Sequence, residues 1–255
     1  MATVHLGRLQ GSAGFSRTVA VKRLHPQHAK DPEFVAMLLD EARLAARIHH
    51  PNVVSTLDVV AEDDELFLVM DYVYGESLAR LLRLTISARR LVPVPVAVSI
   101  IIGMLHGLHA AHEAKSETGE PLDIVHRDMS PQNVIVGADG VARVLDFGVA
   151  KAANRVQTTG DGQIKGKLRY MSPEQLRGRA VTRSSDIFSA AIVAWELLTC
   201  QRFVKSDEPG AVIAQLLADE TARPSTRRPD LDWVADEVVL RGLARDPETR
   251  YRTAL

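Results

Sequence analysis

Apolar residues recur at two different periods along the chain, and the change from one to the other falls near Gly75. Before it, Thr18-Val19-Ala20-Val21-Lys22 is a short β-branched run. Gly11, Ser12 and Gly14 precede it, so a hairpin strand is the simple reading. From Pro32 to Ile48, Phe34, Met37, Leu38, Ala42, Leu44, Ala45 and Ile48 follow helical spacing, with Asp31 as a cap and Glu41 mid-helix. Two further strands are expected at Val53 to Val60 and Leu66 to Val73, separated by a solvated acidic turn, Glu62-Asp63-Asp64-Glu65.

Beyond Gly75 the signals turn mainly helical: Ser77 to Leu84, Val94 to Ala114, Ser185 to Thr199, Glu208 to Ala218 and Trp233 to Leu243. The polar stretch Lys115 to Asp123, with Gly119 and Pro121, reads as a surface insertion. The pattern predicts a β-rich lobe followed by an α-rich one, with no internal repeat.

Composition narrows the class of protein without naming a partner. The 255 residues are 46% hydrophobic and 25% charged, which suits one large core or two modest lobes. A formal charge of -1 gives no field for nucleic acid or anionic lipid. The most apolar window, Leu91 to Leu105, is too short to span a bilayer and holds Pro93 and Pro95. With no basic-then-apolar leader, a cytoplasmic location without a membrane segment is expected. The lone Cys200 forms no internal disulfide and reads as a small buried hydrophobe.

Two motifs carry chemistry. His126-Arg127-Asp128-Met129-Ser130-Pro131-Gln132-Asn133 is followed by Asp146-Phe147-Gly148, placing two carboxylates and a carboxamide in one region. One carboxylate can orient an attacking hydroxyl, while Asn and a second carboxylate are hard oxygen ligands for magnesium. These motifs resemble the catalytic loop H-R-D-x-x-x-x-N and the D-F-G of protein kinases, in the same order. The resemblance implies that Asp128 orients the substrate hydroxyl and that Asn133 and Asp146 hold Mg2+.

Resemblance to that family extends over essentially the whole chain. It implies an α+β bilobal fold: a small N-terminal antiparallel β lobe with one helix over 1–74, and a larger, mainly helical lobe over 75–255. Val19-Ala20-Val21-Lys22 resembles the strand whose Lys contacts the ATP phosphates and pairs with a helix Glu, here Glu41. Leu68-Val69-Met70-Asp71-Tyr72-Val73 resembles the adenine-binding hinge. By that resemblance Met70 is the gatekeeper, Val4, Ala20 and Ile135 sandwich the ring, and Asp71, Val73 and Ser77 complete the ATP site. Periodicity alone makes the apolar members plain core residues. Met1-Ala2-Thr3-Val4 matches only the end of the family's Gly-rich loop, so the first strand and its glycines are expected to be missing. Either an internal Met was taken as the start or the protein is shortened and impaired. An abrupt end at Thr253-Ala254-Leu255, resembling the start of a last helix, gives the same expectation of truncation at the other end.

Asp146 to Glu174 resembles the activation segment, closed by Tyr170-Met171-Ser172-Pro173-Glu174 in place of A-P-E. The resemblance implies that Arg250 pairs with Glu174 and that Asp186 braces the catalytic loop. Phosphate on Thr158 or Thr159 would pair with Arg127 and order the segment. Two positions depart from the family. Ser130 stands where the catalytic loop usually has Lys, and Lys167 stands where the segment usually has Thr. We hypothesise a reciprocal swap in which Lys167 reaches Asp128 and the γ-phosphate, restoring the missing cation.

The function implied by resemblance is that of a bacterial serine/threonine protein kinase in signalling, with ATP and Mg2+ as cofactors and protein substrates, and a homodimer for trans-autophosphorylation among its conceivable partners. The competing reading is a pseudokinase scaffold, suggested by the absent glycines and by Ser130. A small-molecule kinase is disfavoured by Ser172-Pro173-Glu174 together with Arg250.

Overall fold

The computed structural model describes residues 2–11, 14–24, 32–62, 65–147, 167–218 and 221–255. Strands β1 (Ala2–Gln10), β2 (Ser16–Leu24), β3 (Thr56–Glu62) and β4 (Glu65–Asp71) form an antiparallel sheet in the order β1-β2-β4-β3. Strand β4 lies inside the sheet, and its Leu66, Leu68, Val69 and Met70 are buried. Helix α1 (Pro32–Ala45) packs beside β3. Asp31 lies outside the described residues, as do the side chains of Phe34, Met37, Leu38 and Glu41.

The apolar pattern does not reach β1. Val4 and Leu6 are 64% and 70% exposed, so this strand has no buried face to announce it. Its backbone register does: Ala2 to Gln10 pair continuously with Leu24 to Ser16, making β1 an edge of the sheet.

The larger lobe contains helices α2 (Leu78–Ser87), α3 (Val94–His112), α4 (Pro173–Leu176), α5 (Arg183–Thr199), α6 (Pro209–Leu217) and α7 (Trp233–Gly242). Helix α5 is its axis, and every residue from Ser185 to Thr199 is buried. A helix apolar around most of its circumference must be enclosed, and α3 and α7 enclose this one. Its start is fixed by a capping box between Thr182 and Ser185.

Helix α3 extends the apolar window through His112 and is long and apolar enough to cross a membrane by length and composition alone. Here Ala97, Ile100, Met104, Leu108 and Ala111 form a buried stripe at helical spacing that joins the core. Residues 251–255 form no helix.

Three short strands, β5 (Gly75–Ser77), β6 (Val134–Gly137) and β7 (Ala142–Val144), make a second antiparallel sheet that sequence pattern did not suggest. It carries the catalytic loop on one side and the D-F-G segment on the other. The two lobes are joined here by Asn52. Its Nδ2 donates to Ala142 O at 2.8 Å, and its carbonyl accepts from Val144 N at 2.8 Å. Close approach of α3 to this seam requires glycine: a Cβ on Gly107 would fall 2.4 Å from Asn52 O and 3.0 Å from Val144 Cγ2. Gly107→Ala is expected to lose about 1–3 kcal/mol by overpacking. Chemical denaturation checks this, and an unchanged midpoint would contradict the tight seam.

Candidate active site

The catalytic loop is held from beneath by buried Asp186 at the start of α5. Its carboxylate accepts from His126 N and Arg127 N, each at 2.8 Å, and lies 2.8 Å from His112 Nε2. These bonds fix Arg127 at φ 66°. A left-handed conformation costs an Arg about 1–2 kcal/mol, which only an over-determined backbone sustains. On the other side, Gln175 Nε2 donates to Arg127 O at 2.9 Å. Neither His112 nor Gln175 stood out in the sequence, since each is an ordinary helix residue until the fold brings it to the loop.

His126 ties the two motifs together. Its Nδ1 accepts from Asp128 N at 3.2 Å, so Nε2 carries the proton and donates to Leu145 O at 2.8 Å. Its ring meets Phe147 edge-on, centroids 4.9 Å apart. The adjacent Asp146 has φ 60°, a second left-handed residue at the site.

Five polar side chains meet at the site in two groups, Asp128 with Asn133 and Lys167, and Asp146 with Lys22. Asn133 Nδ2 donates to Asp128 O at 2.7 Å and lies 3.3 Å from Asp128 Oδ2. Lys167 Nζ donates to the same Oδ2 at 2.6 Å. Lys22 Nζ sits 2.8 Å from Asp146 Oδ2. Lys22 therefore meets the carboxylate that resemblance assigns to magnesium. Its expected partner, Glu41, has a side chain outside the described residues. Ser130 is 4% exposed, and its carbonyl accepts from Asn133 N at 3.0 Å. The hydroxyl belongs to the folded loop, and the ammonium is delivered from the segment opposite.

The adenine-side residues divide. Met70 is buried in a cluster with Ala42, Val54 and Leu68, against which Ala20, Val73 and Ile135 pack. Val4 is exposed on β1 and stands outside that cluster. Asp71 N donates to Ser55 O at 3.0 Å, and its carboxylate pairs with Arg17. Ser77 has a local task as the N-cap of α2, where its side chain accepts from Arg80 N. Thr158 and Thr159 lie outside the described residues.

Residues near the end of the segment are anchored to the large lobe. Buried Arg250 makes a bidentate pair with Glu174 at 2.8 and 2.9 Å. Ser185 Oγ also donates to Glu174, at 2.6 Å. Ser172 caps α4, and Ser189 Oγ donates to Tyr170 O at 2.7 Å. Lys167 thus extends from a fixed platform.

The donor set suits magnesium. Asn133 spends its amide nitrogen on Asp128, so its oxygen and the Asp146 carboxylate remain as hard ligands. Mg2+ typically takes one or two carboxylates and completes its shell with phosphates and water. No cluster of three or more acidic, His or Cys residues competes for a metal among the described residues.

A four-stranded lobe over a helical lobe, with Lys22, Asp128, Asn133 and Asp146 at their junction, defines the protein kinase class. The chain belongs to that family: residues 9–254 match the model of the protein kinase domain. It is 42% identical to the tyrosine-protein kinase MasK of Myxococcus xanthus, covering 100% of this chain and 39% of that protein. It is 33% identical to the serine/threonine-protein kinase PknB of Mycobacterium leprae, over 100% of this chain and 39% of that protein. With PrkC of Bacillus subtilis the figures are 34%, 93% and 35%. The chain therefore spans about two fifths or less of these relatives' length. A crystal structure of the Mycobacterium tuberculosis PknI kinase domain superposes with a TM-score of 0.71 at 25% identity, covering 98% of this chain and 85% of that one. Members of the family use ATP and Mg2+.

Proposed function

We propose that this chain transfers the γ-phosphate of ATP to hydroxyl groups of protein substrates, with serine and threonine as the acceptors. The observation that carries this reading is the convergence of Lys167 and Asn133 on Asp128, 2.6 and 3.3 Å from its Oδ2. Asp128 then orients the acceptor hydroxyl and takes its proton as the bond to the γ-phosphorus forms and the bond from that phosphorus to the departing ADP oxygen breaks. Lys167 places a positive charge where negative charge shifts among the phosphate oxygens. Lys22 binds the non-transferred phosphates. Asn133 and Asp146 would hold magnesium, which would neutralise charge on the phosphates. The position that Ser130 leaves without a cation is the main argument for a pseudokinase, and Lys167 answers it.

A tyrosine acceptor has one specific observation in its favour, that the 42% identical relative MasK is named a tyrosine-protein kinase. Serine and threonine have the names of the relatives at 31–36% identity. The test is label transfer from γ-labelled ATP to protein, followed by acid hydrolysis and separation of the three phosphoamino acids. Phosphoserine and phosphothreonine that disappear when magnesium is chelated are expected. Phosphotyrosine alone would move the acceptor class, and no transfer from a folded, ATP-binding protein would sink the kinase reading.

A further inference from the structure

A cleft of about 310 Å³ opens directly beside the catalytic loop, between α2 and the platform that carries Lys167. Gln132 and Tyr170, four residues from Asp128 and three from Lys167 respectively, are among its lining residues. A protein segment whose hydroxyl reaches Asp128 runs its neighbouring residues past these two side chains. The cleft's charge is therefore a filter on substrate sequence.

That charge is one-sided. Arg83, Arg169 and Arg202 line the cleft against a single acid, Glu196. Glu196 is not available to a substrate, being 5% exposed and already accepting from Tyr170 OH at 2.8 Å and from Phe203 N at 3.0 Å. Burial pushes its carboxyl above the ordinary range, outweighing the hydrogen bonds and nearby guanidiniums that pull it down. Arg169 is engaged with Ser206 O at 3.0 Å and with Asp207. Arg83 and Arg202 are exposed, and neither has an ion pair among the described residues. An apolar wall from Leu82 and Ile86 lowers the local dielectric beside them.

We infer that this cleft selects substrates with acidic residues near the acceptor hydroxyl, Arg83 and Arg202 being the residues that read them. Two exposed guanidiniums meeting two carboxylates give a modest energy each but a clear preference together, of about tenfold. The inference rests on the proposed phosphoryl transfer only for the acceptor's location, because recognition itself is a binding property.

Three labelled peptides test it, identical except that the residues on both sides of a central Ala are Asp/Glu, Asn/Gln or Lys/Arg. Anisotropy titration is expected to show the acidic peptide binding about tenfold tighter than the neutral one, with the basic peptide weakest. In Arg83→Glu/Arg202→Glu, both changes being at exposed positions, the order should reverse. Equal binding of all three peptides, or an order unchanged by the double reversal, would overturn the inference. The same peptides with Ser for Ala separate this from the kinase reading. Transfer without charge preference removes the filter and keeps the kinase, whereas charge-selective binding without transfer to any peptide does the opposite.

Discussion

Lys167→Met is expected to lower kcat for phosphoryl transfer about 10²- to 10³-fold while leaving the KM for ATP within about a factor of three, the usual loss for one preorganised electrostatic donor. The split follows from position. Lys167 contacts Asp128, the proposed handler of the acceptor hydroxyl, and Lys22 contacts Asp146, on the proposed nucleotide side. With 28% and 20% of their side chains exposed, Lys167 and Asp128 interact in a partly desolvated site. Asp128→Asn should cost about 10²- to 10⁴-fold. Because the two act as one unit, the double variant should be no worse than Asp128→Asn alone. Ser130→Lys in a Lys167→Thr background tests the exchange of positions, and should recover about tenfold over Lys167→Thr by restoring the cation from the loop. Single-turnover assays check all of these. A Lys167→Met enzyme with near-native kcat, or a Ser130→Lys/Lys167→Thr enzyme no better than the worse single variant, would remove Lys167 from the chemistry.

How much of this was legible in the sequence depended on the distance over which each signal acts. The catalytic loop sets Asp128 and Asn133 within eight consecutive positions, so its resemblance to the family's motif is readable at once. The contact of Lys167 with Asp128 spans 39 positions and was visible only through the family's pattern at both ends. Helix α5 and the strand β4 were readable because burial forces long apolar runs. The sheet β5-β6-β7 was not, since strands of three or four residues leave too few alternations to count. Strand β1 was signalled by the hairpin turn expected at Gly11 to Gly14 rather than by apolar alternation: its pairing is backbone hydrogen bonding, while its side chains face solvent. The partner of Lys22 was assigned by analogy to Glu41, whose side chain lies outside the described residues, and the fold places Asp146 2.8 Å from the ammonium. The braces at Arg127, from Asp186 below and Gln175 beside, needed the fold, although resemblance had singled out Asp186.

Arg250→Met should destabilise the domain by about 3–5 kcal/mol, because it leaves a buried carboxylate without its cation. For a domain of this size that corresponds to a fall in Tm of roughly 10 °C. Arg250 is 1% exposed and donates to Ala244 O at 2.7 Å and Ser184 O at 2.9 Å in addition to Glu174. Its guanidinium also lies 4.8 Å from the Phe188 ring centre. Most of the loss should come from Glu174, so Glu174→Leu/Arg250→Met is expected to recover part of it, an apolar pair being tolerated where a lone charge is not. Acid separates the charge contribution from simple packing. Burial raises the Glu174 carboxyl, but hydrogen bonds from Arg250 and Ser185 outweigh it and hold the group below its ordinary 4.5. A depressed carboxyl stabilises the fold above its unfolded value, and that stability is lost as pH falls through the folded one. In Arg250→Met burial acts with less opposition, so the variant has less to lose in acid. The Tm gap between the two proteins should therefore narrow as pH drops below about 4.5. A gap that stays constant from neutral pH into that range would assign Arg250 a packing role alone.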